Sequence, residues 1–161
     1  MKSKSDVYKV ALNRVASYCS KAERCEWDVR QRLNKFDLSE SDKHEIISWL
    51  VKENFLDESR YCNAFVNDKV KFSRWGRLKI RQALIQKRVD EHLIDEVLRN
   101  MNLSLYMENL SDLIVKRKKE IKEDNTFILQ SKLIKYAMGR GFTYSEIKQV
   151  LEDDGGILDF I

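Results

Sequence analysis

The chain has 161 residues, room for one ordinary domain or several small units, and its 43% hydrophobic content suffices for a packed core. The absence of Pro, only five Gly and many Lys, Glu, Leu and Ile point to a mostly helical protein. No apolar run is long enough to span a membrane and the opening MKSKSDVYKV lacks a signal-peptide core, so the cytoplasm is expected; a net charge of +4 alone demands no polyanionic partner.

Apolar residues recur at three- and four-residue spacing almost throughout, which gives about nine helices and no strand. The first runs from about Val7 to Cys19, with Val10, Ala11, Val15 and Tyr18 inside. The second starts near Cys25 and carries Trp27, Val29 and Leu33; the third opens on Asp42. Phe55-Leu56-Asp57-Glu58 interrupts the pattern and caps a helix whose apolar face is Tyr61, Ala64, Phe65 and Phe72. At Trp75-Gly76 the chain turns, with Gly76 supplying room and Trp75 plugging an inter-helix space. The helix from Arg77 then turns Ile80, Ala83 and Leu84 to the core. Trp27 and Trp49 fall on apolar faces and are assigned to the core.

Residues 80–98 align without a gap on residues 133–151, placing Ile94, Val97 and Leu98 on Ile147, Val150 and Leu151. Asp90 falls on Thr143, each a natural N-cap, and Glu146 completes a capping box with Thr143. Residues 29–50 join them with three extra residues; Asp42 takes the cap, Glu45 the third helical position, and Ile46, Trp49 and Leu50 the apolar positions. The expected fold is therefore all-α: an elongated tandem array of three three-helix, helix-turn-helix-like repeats, at 1–53, 54–102 and 103–161. Gly155 is expected to end the last helix, with the apolar tail GGILDFI folding back.

Residue patterns that carry chemistry are scarce. Cys19, Cys25 and Cys62 form no C-x-x-C pair and read as small buried apolar residues. His44 and His92 belong to no ligand motif and read as solvated or half-buried helix histidines. No phosphate-binding glycine loop occurs, and Asp153-Asp154-Gly155-Gly156 reads as a helix end. No catalytic residue, metal or cofactor is expected.

Segment 69–88 breaks the mixed-charge habit of the chain, with eight Lys or Arg and no Asp or Glu. At 100° per residue Arg77, Arg81 and Arg88 share a stripe, Lys79 lies on the opposite flank, and Leu78 and Ile85 make a second apolar line. Planar guanidinium groups suit phosphate, and Lys69, Lys71, Arg74 and Lys87 extend the field. A polyanion contact of Lys69, Lys71, Arg74, Arg77, Lys79, Arg81, Lys87 and Arg88 is the expectation, with Trp75 as the candidate for base stacking. The run Lys116–Lys119 is followed at once by acids and reads as a solubilising helix face, with Lys118 or Lys119 as an auxiliary phosphate contact.

Phe55-Leu56-Asp57-Glu58-Ser59-Arg60-Tyr61 followed by Phe65, then Trp75-Gly76-Arg77 with Ile80, Leu84 and Lys87, resembles the RecX family of bacterial regulatory proteins. Tyr18-Cys19-Ser20, Glu23-Arg24, Val29-Arg30 and Leu33 resemble its N-terminal signature. The match covers about residues 10–100, and the third unit is the weakly matched part. Arg88 stands where the family usually has Gly, Asn54 where Gly is common, and Lys69 where Arg is frequent. The resemblance implies tandem three-helix repeats. It also implies a non-enzymatic modulator that binds the RecA filament on single-stranded DNA and restrains ATP hydrolysis, strand exchange and co-protease activity; some members also bind DNA directly, which adds single-stranded DNA, with duplex DNA as an option, to the expected partners. A monomer acting without cofactor or membrane is expected. Two other readings stay open: a stand-alone helix-turn-helix transcriptional regulator reading bases through Gln82 and Gln86, and a helical adaptor binding protein through Leu78 and Ile85.

Overall fold

The structure, a computed structural model, describes residues 4–153. The expected cap at Gly155 and the apolar tail lie outside the described residues. Those described form nine α-helices and no strand: α1 (Lys4–Lys21), α2 (Glu26–Leu33), α3 (Glu40–Lys52), α4 (Glu58–Asp68), α5 (Arg77–Gln86), α6 (Glu91–Arg99), α7 (Leu103–Glu120), α8 (Thr126–Gly139) and α9 (Tyr144–Asp153). A π-helical turn, Lys69–Ser73, continues α4. No helix among the described residues is long and apolar enough to cross a membrane.

The helices start where side chains can cap them. Asp90 Oδ1 accepts from the amides of His92 and Leu93 at 2.8 and 3.2 Å. Thr143 Oγ1 accepts from the Glu146 amide at 3.1 Å while Glu146 Oε1 accepts from the Thr143 amide at 3.0 Å, the reciprocal box the sequence indicates. The third helix differs from expectation. Its N-cap is Ser39, whose hydroxyl accepts from the Asp42 amide at 3.1 Å, so Asp42 lies inside the first turn. Both residue types can cap; the earlier one gains most of an extra turn of helix and leaves Asp42 near the positive end of the dipole.

Three helix ends share one device. After α3, α5 and α8 the chain enters the left-handed region at Asn54 (φ 63°), Arg88 (φ 60°) and Gly141 (φ 98°). The next amide bonds back into the last turn: Phe55 to the Leu50 carbonyl at 2.8 Å, Val89 to Leu84 at 3.2 Å, Phe142 to Ala137 at 3.2 Å. Arg88 and Gly141 are equivalent in the alignment of 80–98 on 133–151, and the residues after them, Val89 and Phe142, are both buried. The repeat is thus visible in backbone conformation as well as in apolar spacing.

The chain divides into two compact units, one reaching Ala64 and including Leu84–Ile94, the other comprising Phe65–Ala83 and the chain from Asp95. In the first, Ala11, Val15 and Cys19 of α1 pack with Val29 and Leu33 of α2, Ile46, Ile47 and Leu50 of α3, and Leu56. Ile47 occupies the interior where Trp49 was expected; Trp49 is exposed and stacks on Phe55 with centroids 5.5 Å apart. Trp27, also expected inside, is half-buried, with Lys87 Nζ 5.3 Å from its ring centroid. The three cysteines are buried, and burial pushes each thiol up to about 11, so they stay protonated at neutral pH. His44 and His92 are exposed.

The stretch Phe55–Tyr61 staples this first unit. Asp57 Oδ1 caps α4 by accepting from the Arg60 amide at 3.0 Å. Glu58 accepts from the Glu26 amide and so caps α2, the N-terminus of which has no side-chain cap of its own. Arg60 pairs with Glu23 at 2.8 Å and donates to the Asn54 carbonyl at 2.8 Å, while Tyr61 is buried. These motif residues are architecture.

In the second unit Tyr106, Leu110 and Ile114 of α7, Leu133 and Ala137 of α8, and Ile147 and Leu151 of α9 surround Phe142, all inaccessible to solvent. Tyr106 and Phe142 meet with centroids 5.1 Å apart.

Candidate nucleic-acid interface

The acid-free segment begins where α4 loses its regular ladder. Beyond Asp68 the turn widens to i→i+5 bonding, and the Lys69 carbonyl accepts from the amides of both Arg74 and Trp75. Two side chains from far along the chain hold two further carbonyls of the turn. Asn109, buried on α7, donates its Nδ2 to the Val70 carbonyl at 2.7 Å, and Arg140 donates Nη2 to the Ser73 carbonyl at 3.0 Å. Arg74 closes the turn in the left-handed region at φ 53°.

This turn corrects the expectation for Phe72. Residues 65 and 72 share a face in a continuous α-helix, but one extra residue in the turn rotates the downstream side chains by about 100°. Val70 is buried and Phe72 is thrown outward, 73% exposed. Lys71 Nζ stands 5.3 Å from the Phe72 centroid. Trp75 is half-buried, with Lys69 and Lys79 ammonium groups 4.5 and 4.6 Å from its ring centroid.

Gly76 serves close approach, where the sequence suggested a turn. Its amide donates to the Arg140 carbonyl at 2.8 Å, and the Leu78 amide donates to the Gly141 carbonyl at 2.9 Å. The Arg77 amide donates to the Tyr106 hydroxyl at 2.9 Å, which donates in turn to Glu146 Oε1 at 2.9 Å. Burial raises the affinity of that hydroxyl for its proton, keeping it a donor. Basic side chains in a first turn oppose the helix dipole, and these acceptors from α7, α9 and the loop before α9 offset that cost.

The eight expected contact residues separate into two groups. Arg77 pairs with Glu146 at 2.8 Å; partial burial works against its charge and the carboxylate more than restores it. Arg81 pairs with Asp95 at 3.0 Å and Lys87 with Asp28 at 2.8 Å. Arg88 lies past the end of α5, exposed, so the expected stripe of three arginines does not exist as one helix face. Lys69, Lys71, Arg74, Lys79 and Arg88 have no carboxylate partner among the described residues. Lys69, Lys71 and Lys79 lie beside Phe72 and Trp75 in the second unit, Arg74 closes the same turn, and Arg88 belongs to the first unit.

A second basic surface includes part of the run that the sequence assigned mainly to solubility. Arg117 lies over the Tyr136 ring at 4.8 Å and lines a groove of about 490 Å³ with Lys122, Lys132 and Lys135. Arg117 belongs to the run Lys116–Lys119; Lys132 and Lys135, three apart on α8, were the signal left unused.

Family models for RecX match the chain twice, the second three-helix domain at residues 57–98 and the third at 105–151. The chain is 30% identical over 152 residues to the regulatory protein RecX of Clostridium acetobutylicum, covering 92% of this chain and 70% of that one. The chain belongs to the RecX family. The RecX protein of Clostridium botulinum (strain Eklund 17B) is 33% identical over 132 residues, 81% of this chain and 61% of its own length. The chain therefore spans between three-fifths and seven-tenths of these curated relatives. The crystal structure of RecX from Lactobacillus salivarius shares the fold with a TM-score of 0.86 at 22% identity, covering 92% of this chain and 97% of the other. The third unit, weak in motifs, is thus matched by its own RecX family model. The family's preference for Gly at positions 54 and 88 acquires a reason: both residues sit at positive φ.

Proposed function

We propose that this protein is a non-catalytic cytoplasmic modulator of the RecA recombinase, acting as a monomer on the RecA filament assembled on single-stranded DNA. On this reading it restrains ATP hydrolysis, strand exchange and co-protease activity. The observation that supports it beyond family membership is the set of cations without a carboxylate partner in an acid-free stretch: Lys69, Lys71 and Lys79 beside two aromatic rings, with Arg74 in the same turn and, separately, Arg88 in the first unit. Arg77, Arg81 and Lys87 act indirectly, by holding α5 and its end in place. Cations without internal partners keep their full charge for phosphate or for an acidic protein surface.

The test is titration into single-strand-dependent ATP hydrolysis by RecA of the same organism. Hydrolysis should fall at stoichiometric protein, and a Lys71→Glu/Arg74→Glu variant should restrain it less. No effect of the wild type, together with preference for one duplex sequence, would favour a helix-turn-helix regulator instead.

A further inference from the structure

We infer that the π-helical turn Lys69–Ser73 presents Phe72 as a stacking platform for a base of single-stranded nucleic acid, with Lys71 and Arg74 meeting the flanking phosphates. This rests on the proposed contact surface and assigns its ligand. A phenyl ring that is 73% exposed contributes nothing to the core, although its sequence position suits a buried helix face. The chain departs from α-geometry to put it outside. That departure places Arg74 at positive φ and occupies two side chains, Asn109 and Arg140, in holding the liberated carbonyls.

The surroundings select the partner. Lys69, Lys71 and Lys79 lie against the two rings, Arg74 follows in the same turn, and no carboxylate interrupts residues 69–88. An apolar socket on a protein would take the ring but leave four ammonium and guanidinium groups to be desolvated without partners. A single strand supplies both halves: a π-face for Phe72 and phosphates spaced along a backbone for the cations. Duplex DNA offers its phosphates but keeps its bases stacked on each other.

The experiment compares binding of the full chain to an oligo(dT) strand and to an abasic strand of the same length, at one salt concentration, by fluorescence anisotropy. The wild type should bind oligo(dT) about tenfold more tightly than the abasic strand. Phe72→Ala should bring the two within about twofold by weakening oligo(dT) alone, and Phe72→Trp should keep the preference. Because Phe72 is exposed, the Ala variant should match the wild type in a urea unfolding curve. A wild type without preference for oligo(dT), or a Phe72→Ala variant that retains it, overturns the inference even where RecA is restrained. Loss of RecA restraint by Phe72→Ala with unchanged strand binding also overturns it and assigns the ring to a protein partner. If the base preference depends on Phe72 while the wild type leaves RecA untouched, the inference stands and the regulatory reading falls.

Discussion

Gly76 and Gly141 lie backbone against backbone: a Cβ built on Gly76 would stand 2.1 Å from the Gly141 carbonyl carbon and 2.2 Å from the Phe142 nitrogen. Both atoms are main chain, and neither can swing aside. Gly76→Ala should therefore cost about 3 kcal/mol or more in urea unfolding. Gly141→Ala should also destabilise, since φ is 98° and Lys79 Cβ lies 2.5 Å away. Gly139, with nothing within 4 Å, is the control. Gly139→Ala, at the end of α8, should raise stability by about 0.5 kcal/mol.

Arg77 and Arg88 should respond differently to charge reversal. Arg77→Glu sets a carboxylate against Glu146, whose side chain is only 12% exposed, and should lower stability by about 2 kcal/mol. Arg88→Glu breaks no ion pair but lines a groove with Glu26, Glu58 and Asp90, and should lower stability by less than about 1 kcal/mol. Thermal melts of the two variants separate structural arginine from surface arginine.

Arg88 holds a conformation that L-residues resist. Arg88→Gly should stabilise by about 1 kcal/mol, the relief of left-handed strain exceeding the entropy Gly adds to the unfolded chain. Asn54→Gly should gain only about 0.3 kcal/mol, because Asn tolerates the same region. Chemical denaturation of the two variants should preserve that order.

Glu58 should shape the acid side of the stability profile. Burial raises its carboxyl above the ordinary value, while the hydrogen bond from the Glu26 amide pulls the other way. A carboxyl with a raised folded pKa takes up protons on folding, so its charged form costs stability at neutral pH. That cost fades as pH falls through the folded pKa. Glu58→Gln, which keeps an acceptor for the amide, should gain stability relative to wild type at pH 7 and lose that advantage as pH falls into the ordinary carboxylate range. Unfolding midpoints of both proteins across that range give the measurement.

The all-α fold, the caps at Asp90 and Thr143 and the repeat relating 80–98 to 133–151 were legible because each depends on residues within one turn of each other. The features that escaped depended on residues far along the chain. Glu146 and Asp28, which claim Arg77 and Lys87, lie 69 and 59 positions from them. No local count of charge can anticipate such pairing. The fate of Phe72 turned on Asn109 and Arg140 in the same way, since an isolated helix has no reason to widen at Lys69. Ser39 was a nearer miss: Ser and Asp three apart both suit a cap, and spacing alone does not choose between them.

The widened turn also has a genetic reading. It amounts to one surplus residue in a helix, so a single-codon deletion within 69–71 would restore an ordinary ladder and leave Phe72, then six residues beyond Phe65, on its present outward side. The outward ring would then survive either count of residues, and only the open carbonyls held by Asn109 and Arg140 would go with the surplus one. Length variation at this point among homologues would mark gain and loss of the widened turn rather than of the exposed ring.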